Sequence, residues 1–151
     1  MVSGLVTSLW SKLPYFARMR IIRLTQEKFT VSAAAIVLNE KREVLLLDHV
    51  LRSSNGWGLP GGFMNAREQP EEAIRRELRE ETGLELSNVK MIRARTINCH
   101  VEILFAAASA GNPIINSREI RDAAWFTVDA MPKEMSHIQK HLIEEILDSR
   151  V

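Results

Sequence analysis

Apolar runs separated by short polar segments mark the first half of the chain. Residues 29–38 (FTVSAAAIVL) and 43–47 (EVLLL) are rich in β-branched and aliphatic side chains, and the polar residues 39–42 between them are typical of a hairpin turn. We therefore predict two antiparallel strands. Residues 49–55 are polar and predict a surface loop. The glycine-dense residues 56–62 predict a turn in which the backbone approaches another group closely.

A helix is predicted over residues 68–82. Pro70 stands at a first helical position, Glu71 and Glu72 lie in the first turn, and Gly83 stands where a C-terminal cap is expected. Further on, residues 91–97 and 98–108 predict paired strands, 123–127 a short strand, and 133–147 a closing amphipathic helix. Strands with one helix between them and another at the end predict an α/β or α+β domain, a mixed sheet covered by helices.

Length and composition favour one ordinary globular domain, which we place at residues 25–151. With 20 basic and 19 acidic side chains the net charge is +1, so no overall field favours a nucleic-acid polymer as a partner. Cys99 has no second cysteine to pair with, and in an alternating apolar run it is expected to be a small buried hydrophobe. These features favour a cytoplasmic location.

Residues 1–24 form an amphipathic extension without any acidic side chain. Lys12 and three arginines accompany apolar residues at near-helical spacing, and Pro14 interrupts the pattern. The favoured interpretation is a short helix that packs on the domain or on a second copy of the chain in a homodimer. Contact of residues 1–23 with a membrane surface and organellar targeting are the less favoured interpretations.

Three carboxylates share one side of the predicted central helix. Glu77, Glu80 and Glu81 stand at i, i+3 and i+4, and this stripe borders the one that Ile74 and Leu78 turn to the core. Like charges at this spacing repel, and acids near a helix C-terminus oppose the helix dipole. A hard divalent cation, Mg²⁺ or Mn²⁺, would remove the conflict.

Salt bridges on a solvated helix face are the alternative, because arginines stand next to these acids. Against it, Glu71 with Arg75 and Glu72 with Arg76 already have the i, i+4 spacing of ion pairs, so these arginines have other partners. Helix geometry alone therefore leaves a metal site and a salt-bridged surface both open.

Residues 62–84 (GFMNAREQPEEAIRRELREETGL) resemble the Nudix box, and every fixed position of that pattern matches. The matching residues are Gly62, Glu68, Arg76, Glu77, Leu78, Glu80, Glu81, Gly83 and Leu84. Beyond this segment a looser resemblance extends from the strand at residue 29 through 57–62 to Trp125, Phe126 and the last helix. It implies the Nudix fold, a mixed sheet sandwiched between helices.

The resemblance also implies an activity, hydrolysis of a nucleoside diphosphate linked to another group, and roles for the box residues. Glu77, Glu80 and Glu81 would bind the metal, together with the carbonyl of Gly62. Glu68 and Arg76 would form an orienting pair. The general base varies within the family, so Glu119, on a loop before a late strand, and Glu81 are both candidates. An exposed loop acid is the alternative interpretation of Glu119.

Contacts with the substrate are expected from Arg52, Trp57 and the glycine loop at Gly61. Trp57 could instead be a core residue, and Arg52 a solvated arginine. Glu102 shares a strand face with His100 and could reach the site, but a strand-face acid that touches solvent is the favoured interpretation. The other histidines (His49, His137 and His141) show no metal-ligand spacing and are interpreted as surface residues.

The leading hypothesis is a Mg²⁺-dependent hydrolase that acts on a small nucleotide. Water, activated by the metal and a glutamate base, would cleave the phosphoanhydride bond. The alternatives are a pyrophosphohydrolase that removes damaged nucleoside triphosphates, a nucleotide-sensing module without turnover, and an interaction protein that uses residues 1–24. No substrate signature is present in residues 97–101, so the substrate class stays open.

Overall fold

The computed structural model describes residues 4–51 and 56–148. Within them, seven strands form one mixed sheet. The strands are β1 Thr30–Leu38, β2 Val44–His49, β3 Trp57–Gly58, β4 Gly61–Phe63, β5 Ser87–Ile97, β6 His100–Ala108 and β7 Ile120–Phe126. The helices are α1 Gly4–Lys12, α2 Tyr15–Thr25, α3 Pro70–Thr82 and α4 His137–Asp148, with a 3-10 turn at Val128–Ala130.

Strand β1 is the centre of the sheet. The order is β3-β2-β1-β6-β5, with β4 paired to β1 and β7 paired to β2. β1 runs parallel to β6 and antiparallel to β2 and β4. The predicted β1–β2 hairpin is confirmed. Its turn is closed by Asn39, whose side-chain oxygen accepts the backbone N–H of Lys41 and of Glu43 at 2.9 Å each.

Alternation along β1 separates two cores, one on each face of the sheet. Ala35 faces one core, where Ile74 and Leu78 of α3 pack, and Ile36 faces the other, where Ile143 of α4 packs. All five side chains are fully or almost fully buried. Because both faces of the sheet are covered, side chains on both sides of β1 are buried. Its sequence is therefore a continuous apolar run and not an alternation of apolar and polar residues. The predicted mixed sheet between helices is confirmed.

Element boundaries differ from the sequence-based ones where polar residues begin a strand. β5 starts at Ser87, four residues early, because residues 87–90 lack the apolar alternation that indicates a strand. Asn98 has a φ of 54° and forms a turn with Cys99, so β6 starts at His100. In that turn Cys99 is exposed, and the prediction of a buried cysteine is wrong.

The N-terminal segment forms two helices that separate at Pro14. No residue from 6 to 29 is buried, and only Leu13, Ala17, Arg18 and Met19 are half-buried. The segment therefore contributes little to the core of residues 30–148. None of the described helices is long and apolar enough to cross a bilayer.

Candidate active site

Helix α3 carries most of the candidate site, and its ends are fixed by local sequence. The backbone N–H of Gln69 donates to Glu72 Oε2 at 2.9 Å, and Pro70 begins the helix where no backbone donor is needed. At the other end Gly83 adopts a φ of 69°, and its N–H donates to the carbonyl of Arg79 at 2.9 Å. A left-handed residue of this kind is accessible to glycine without strain.

Burial of one face of α3 carries an acidic side chain toward the core. Ile74 and Leu78 are fully buried, and Glu81, close to the same face, is only 6% exposed. Glu77 is 17% exposed and Glu80 is 59% exposed. The three acids therefore span the boundary between core and solvent, as the helix geometry predicts.

Arg76 lies at the centre of this acidic face. Its Nη1 contacts Glu77 Oε1 at 2.7 Å and Glu80 Oε2 at 3.3 Å, and its Nε and Nη2 form two parallel bonds to Glu68 at 2.7 and 3.0 Å. The hydrogen bond to Glu68 raises the pKa of Arg76; burial opposes this shift, and the hydrogen bond to Glu77 adds to it. One guanidinium thus partly neutralises three carboxylates.

The predicted Glu72–Arg76 pair does not form, and that prediction is wrong. Glu72 caps the first turn of α3 instead, because an acceptor is needed by the unpaired N–H groups there. The other predicted pair is confirmed, with Arg75 Nη2 at 2.8 Å from Glu71 Oε1.

Glu68 orients Arg76 from outside the helix. In addition to the arginine, its Oε2 accepts the backbone N–H of Asn65 at 2.8 Å. The hydrogen bond from Arg76 and then the one from Asn65 lower the pKa of Glu68 to about 2. Glu68 therefore stays ionised over the physiological range.

The glycine loop approaches both the sheet and the acidic face. Gly61 has a φ of 149° and pairs with Ala34, and a Cβ at this position would collide with the backbone carbonyl of Ala33. A Cβ on Gly62 would instead collide with the Glu77 carboxylate. The loop thus places backbone directly against a candidate metal ligand.

A cavity of about 640 Å³ opens beside this arrangement. It brings together most of the residues predicted from the sequence: Gly61, Gly62, Arg76, Glu77, Glu80, Glu81 and Glu119. Glu119, 38 residues after Glu81 in the chain, reaches the cavity because β7 pairs with β2. The backbone carbonyl of Glu119 accepts the N–H of Val50 at 2.8 Å, which ties its loop to the end of β2.

One predicted substrate contact, Trp57, falls elsewhere. Trp57 is half-buried in the core on the α4 side, where its ring meets Phe126 edge to face at a centroid distance of 5.1 Å. This contact matches the alternative interpretation of Trp57 as a core residue. Arg52 lies outside the described residues.

Several side chains of the cavity were not selected from the sequence. They are Ser32, His49, Phe63, Asn65, His100, Glu102, Ser117 and Gln139. The prediction that His49 is a surface residue is wrong, because it is half-buried and faces the cavity. The sequence shows that His100 and Glu102 stand at alternate positions of one strand. Ser32 lies on another strand, and it comes close to them because β1 pairs with β6 in parallel.

Glu102 lines the cavity, so the favoured interpretation of it as a solvated acid is wrong and the alternative holds. Rather than a solvated acid, it is only 15% exposed and is held by Arg95 through bonds of 3.0 and 2.9 Å from the guanidinium to its two oxygens. Opposite it on β1, Ser32 Oγ lies 2.9 Å from Nε2 of His100, whose Nδ1 lies 2.7 Å from Thr30 Oγ1. This end of the cavity is therefore polar and tightly connected.

The residues present fit a hard divalent cation. Glu77, Glu80 and Glu81 supply oxygen ligands on one helix face, one of them buried, and the backbone of Gly62 leaves room beside Glu77 that any side chain would fill. Within the described residues the three carboxylates are not arranged around a common point as metal ligands, because Arg76 forms ion pairs with Glu77 and Glu80. Binding would require the arginine to share them.

Comparison with known proteins defines the class. The model of the NUDIX domain matches residues 28–146, and the chain belongs to this family. It is an enzyme, a Nudix hydrolase, and hydrolases of this family generally use divalent metal ions. The resemblance inferred from the box is thereby confirmed.

Among similar sequences is a MutT-like protein of Streptomyces ambofaciens, 30% identical over 79% of this chain and 77% of its own length. The NAD-capped RNA hydrolase NudC of Pseudomonas aeruginosa is 30% identical, and the human 8-oxo-dGDP phosphatase NUDT18 is 32% identical. This chain spans 45% and 36% of the lengths of those two proteins.

Solved structures agree on the fold. The MutT NUDIX hydrolase of Burkholderia pseudomallei has a TM-score of 0.68 at 25% identity, covering 80% of this chain and 99% of its own. The NUDIX domain of Shewanella oneidensis NrtR, solved with ADP-ribose, has a TM-score of 0.75 at 20% identity. That alignment covers 92% of this chain and the whole of the other.

Proposed function

We propose that the protein hydrolyses the phosphoanhydride bond of a nucleoside diphosphate linked to another group, with Mg²⁺ as the cofactor and Mn²⁺ as a substitute. The observation that carries this proposal is the acidic face of α3, where buried Glu81 and partly buried Glu77 meet the glycine loop beside a cavity of about 640 Å³. The volume is adequate for a nucleotide.

Glu77, Glu80, Glu81 and the carbonyl of Gly62 would hold the metal. When bound, the cation neutralises charge on the diphosphate oxygens and lowers the pKa of a coordinated water. Glu80, which is the most exposed of the three acids, gives the site an opening to solvent. Buried Glu81 has no comparable access and would be the least mobile ligand.

Arg76 and Glu68 act as positioning residues. The paired bonds between them fix the guanidinium plane, and the remaining nitrogen holds Glu77 at 2.7 Å. Arg76 Nη2 also donates to the carbonyl of Phe63 at 3.2 Å, which connects the helix to the glycine loop. The pair thereby keeps α3 and the loop at a fixed separation.

We assign the general base to Glu119, with Glu81 as the alternative. Glu119 is exposed, lines the cavity, and its carboxylate makes no ion pair or hydrogen bond with the described residues. Such a group can approach a water molecule and accept its proton. Glu81 is adjacent to the same space but is enclosed by the core.

The nucleoside part of the substrate would occupy the other end of the cavity. Phe63 is 65% exposed there, and its ring lies edge to face with that of His100 at a centroid distance of 5.7 Å. An exposed aromatic ring can stack on a base. Glu102, oriented by Arg95, offers acceptor oxygens to N–H groups of a base. We infer that this end of the cavity determines which substrate binds. The backbone of Gly61 would contact the substrate next to it.

A substrate panel tests the proposal. It contains ADP-ribose, GDP-mannose, NAD, dinucleoside polyphosphates and oxidised nucleoside di- and triphosphates, each with Mg²⁺; oxidised dGDP and NAD are included because of the named relatives. We expect hydrolysis of at least one compound and a loss of about a hundredfold or more in Glu81→Gln. Glu85→Gln, an exposed acid beyond the helix, is the matched control. No hydrolysis of any member, or equal rates in Glu81→Gln and wild type, would contradict the proposal.

A further inference from the structure

Helices α1 and α2 expose more large apolar side chains than any comparable stretch of the described chain. Leu9 is 66% exposed, and Tyr15, Phe16 and Leu24 are between 73% and 77% exposed. Val6, Trp10, Ile21 and Ile22 are also exposed, by 36% to 55%. Exposed apolar surface of this extent indicates an interaction site.

The same segment carries uncompensated positive charge. Residues 1–26 contain four basic and no acidic side chains, whereas the remaining 125 residues contain 16 basic and 19 acidic ones. Lys12, Arg20 and Arg23 are exposed, and none of them takes part in the ion pairs seen among the described residues. The N-terminal segment therefore has a positive net charge, whereas the rest of the chain has a slightly negative one.

Apolar and basic side chains are interleaved on α2. At about 100° per residue, Arg23 lies between Met19 and Phe16 around the helix axis, and Arg20 lies between Phe16 and Leu24. A protein partner that covered the apolar side chains would have to bury these guanidinium groups, which is costly unless each is paired. A lipid headgroup layer has no such cost, because arginine extends to the phosphates while its neighbours enter the acyl region.

We propose that residues 6–25 bind the surface of a membrane that contains anionic lipids. Trp10, Tyr15 and Phe16, grouped around the break at Pro14, would enter the interface, and Lys12, Arg20 and Arg23 would contact the lipid phosphates. Each basic side chain near such a surface strengthens binding severalfold. This inference does not depend on the proposed hydrolytic activity.

Sedimentation of the full chain with vesicles tests the proposal. One set of vesicles is phosphatidylcholine, and the other is an equal mixture of phosphatidylcholine and phosphatidylserine. We expect binding to the mixed vesicles that is at least about tenfold tighter and weakens with added salt. Arg20→Glu with Arg23→Glu should abolish the preference, and Trp10→Ala with Phe16→Ala should weaken binding by about tenfold or more.

Matched controls change the same chemistry elsewhere on the surface. Lys41→Glu with Lys133→Glu alters the net charge equally, and Leu51→Ala with Ile138→Ala removes two exposed apolar side chains from other parts of the chain. Both controls should bind like wild type. Thermal unfolding of all variants should be unchanged, because every altered residue is exposed.

Three outcomes would overturn the proposal. The first is equal binding to both kinds of vesicle or to neither, and the second is an equal loss of binding in the control variants. The third is a dimer in solution that Trp10→Ala with Phe16→Ala converts to a monomer, without any vesicle binding, since a second copy would then cover this surface.

Discussion

Gly62 lies against the carboxylate of Glu77, so closely that a Cβ at residue 62 would overlap the carboxylate oxygens. The contact joins the glycine loop to the acidic face of α3, two elements that are distinct in the chain but form one wall of the cavity. Gly61 and Gly62 are neighbours in this loop but lie against different groups, the backbone of β1 and the Glu77 carboxylate. Alanine substitutions at the two positions should therefore have different effects.

Gly62→Ala should impair the site and leave the fold intact. The added methyl group displaces only the end of the Glu77 side chain, which can rotate, so we expect a loss of stability within about 1 kcal/mol. The displaced carboxylate can no longer share a cation with the loop, and Mg²⁺-dependent hydrolysis should fall by about tenfold or more. Chemical denaturation and a Mg²⁺ titration of activity measure the two effects.

Gly61→Ala is the contrasting control for that prediction. Its φ of 149° is unfavourable for alanine, and the methyl group would meet the backbone of β1, which cannot move aside. We expect a loss of about 2 kcal/mol or more in the free energy of unfolding. Equal stability of the two variants would show that β4 does not depend on the close approach of Gly61.

Glu68→Gln should destabilise the protein in a pH-dependent manner. The folded pKa of Glu68 is lowered from 4.5 to about 2, so its contribution is fully present above the unfolded value and disappears as the pH falls from about 4.5 toward 2. Denaturation at a series of pH values should therefore show wild type and variant converging at low pH.

Glu85→Gln provides the comparison for that pH series. Arg79 likewise lowers the pKa of Glu85, but both side chains are more than half exposed, so water screens their interaction. The destabilisation should be smaller than that of Glu68→Gln. A constant difference between Glu68→Gln and wild type down to pH 2 would contradict the role assigned to the Arg76 pair.

Arg76→Lys should retain the positive charge but lose the geometry. Lysine cannot reproduce the parallel bonds to Glu68 while also holding Glu77. We expect a fall in kcat of about tenfold and a higher Mg²⁺ requirement. If Arg76→Lys had the kinetics of wild type, positive charge alone would be enough to hold the acidic side chains, and Arg76 would not be a positioning residue.

Phe63→Ala should weaken substrate binding without affecting the fold. The side chain is 65% exposed, so little stability depends on it. Loss of a stacking surface is expected to raise KM by about tenfold with kcat nearly unchanged. Met91→Ala, at a similarly exposed position that is not among the residues lining the cavity, controls for nonspecific effects. An unchanged KM would place the nucleoside elsewhere.

Local signals in the sequence predict the helix that carries the site. Pro70, the first-turn acids and Gly83 define α3 within two residues, and the spacing of Glu77 and Glu81 relative to Leu78 predicts which side meets the core. These features depend on residues within a few positions of one another. That is why they are visible without a structure.

The end of the cavity around Ser32, His100 and Glu102 could not be predicted from neighbouring residues in the sequence. Ser32 and Glu102 stand opposite each other only because β1 and β6 pair in parallel, a contact that spans 70 residues of chain. Likewise, helix spacing alone favours Glu72 as the partner of Arg76, and only the resemblance to the Nudix box points to Glu68. The loop before α3 turns back so that Glu68 meets the arginine. Long-range pairing and loop direction decide these contacts.

Calorimetric titration with Mg²⁺ measures directly whether the acidic face of α3 binds a divalent cation. We predict that wild type and Glu85→Gln bind Mg²⁺ with similar affinity, whereas Glu77→Gln and Glu81→Gln each bind it at least about tenfold more weakly and lose hydrolysis in parallel. Mg²⁺ affinity and hydrolysis that are the same in all four proteins would contradict metal binding by this face.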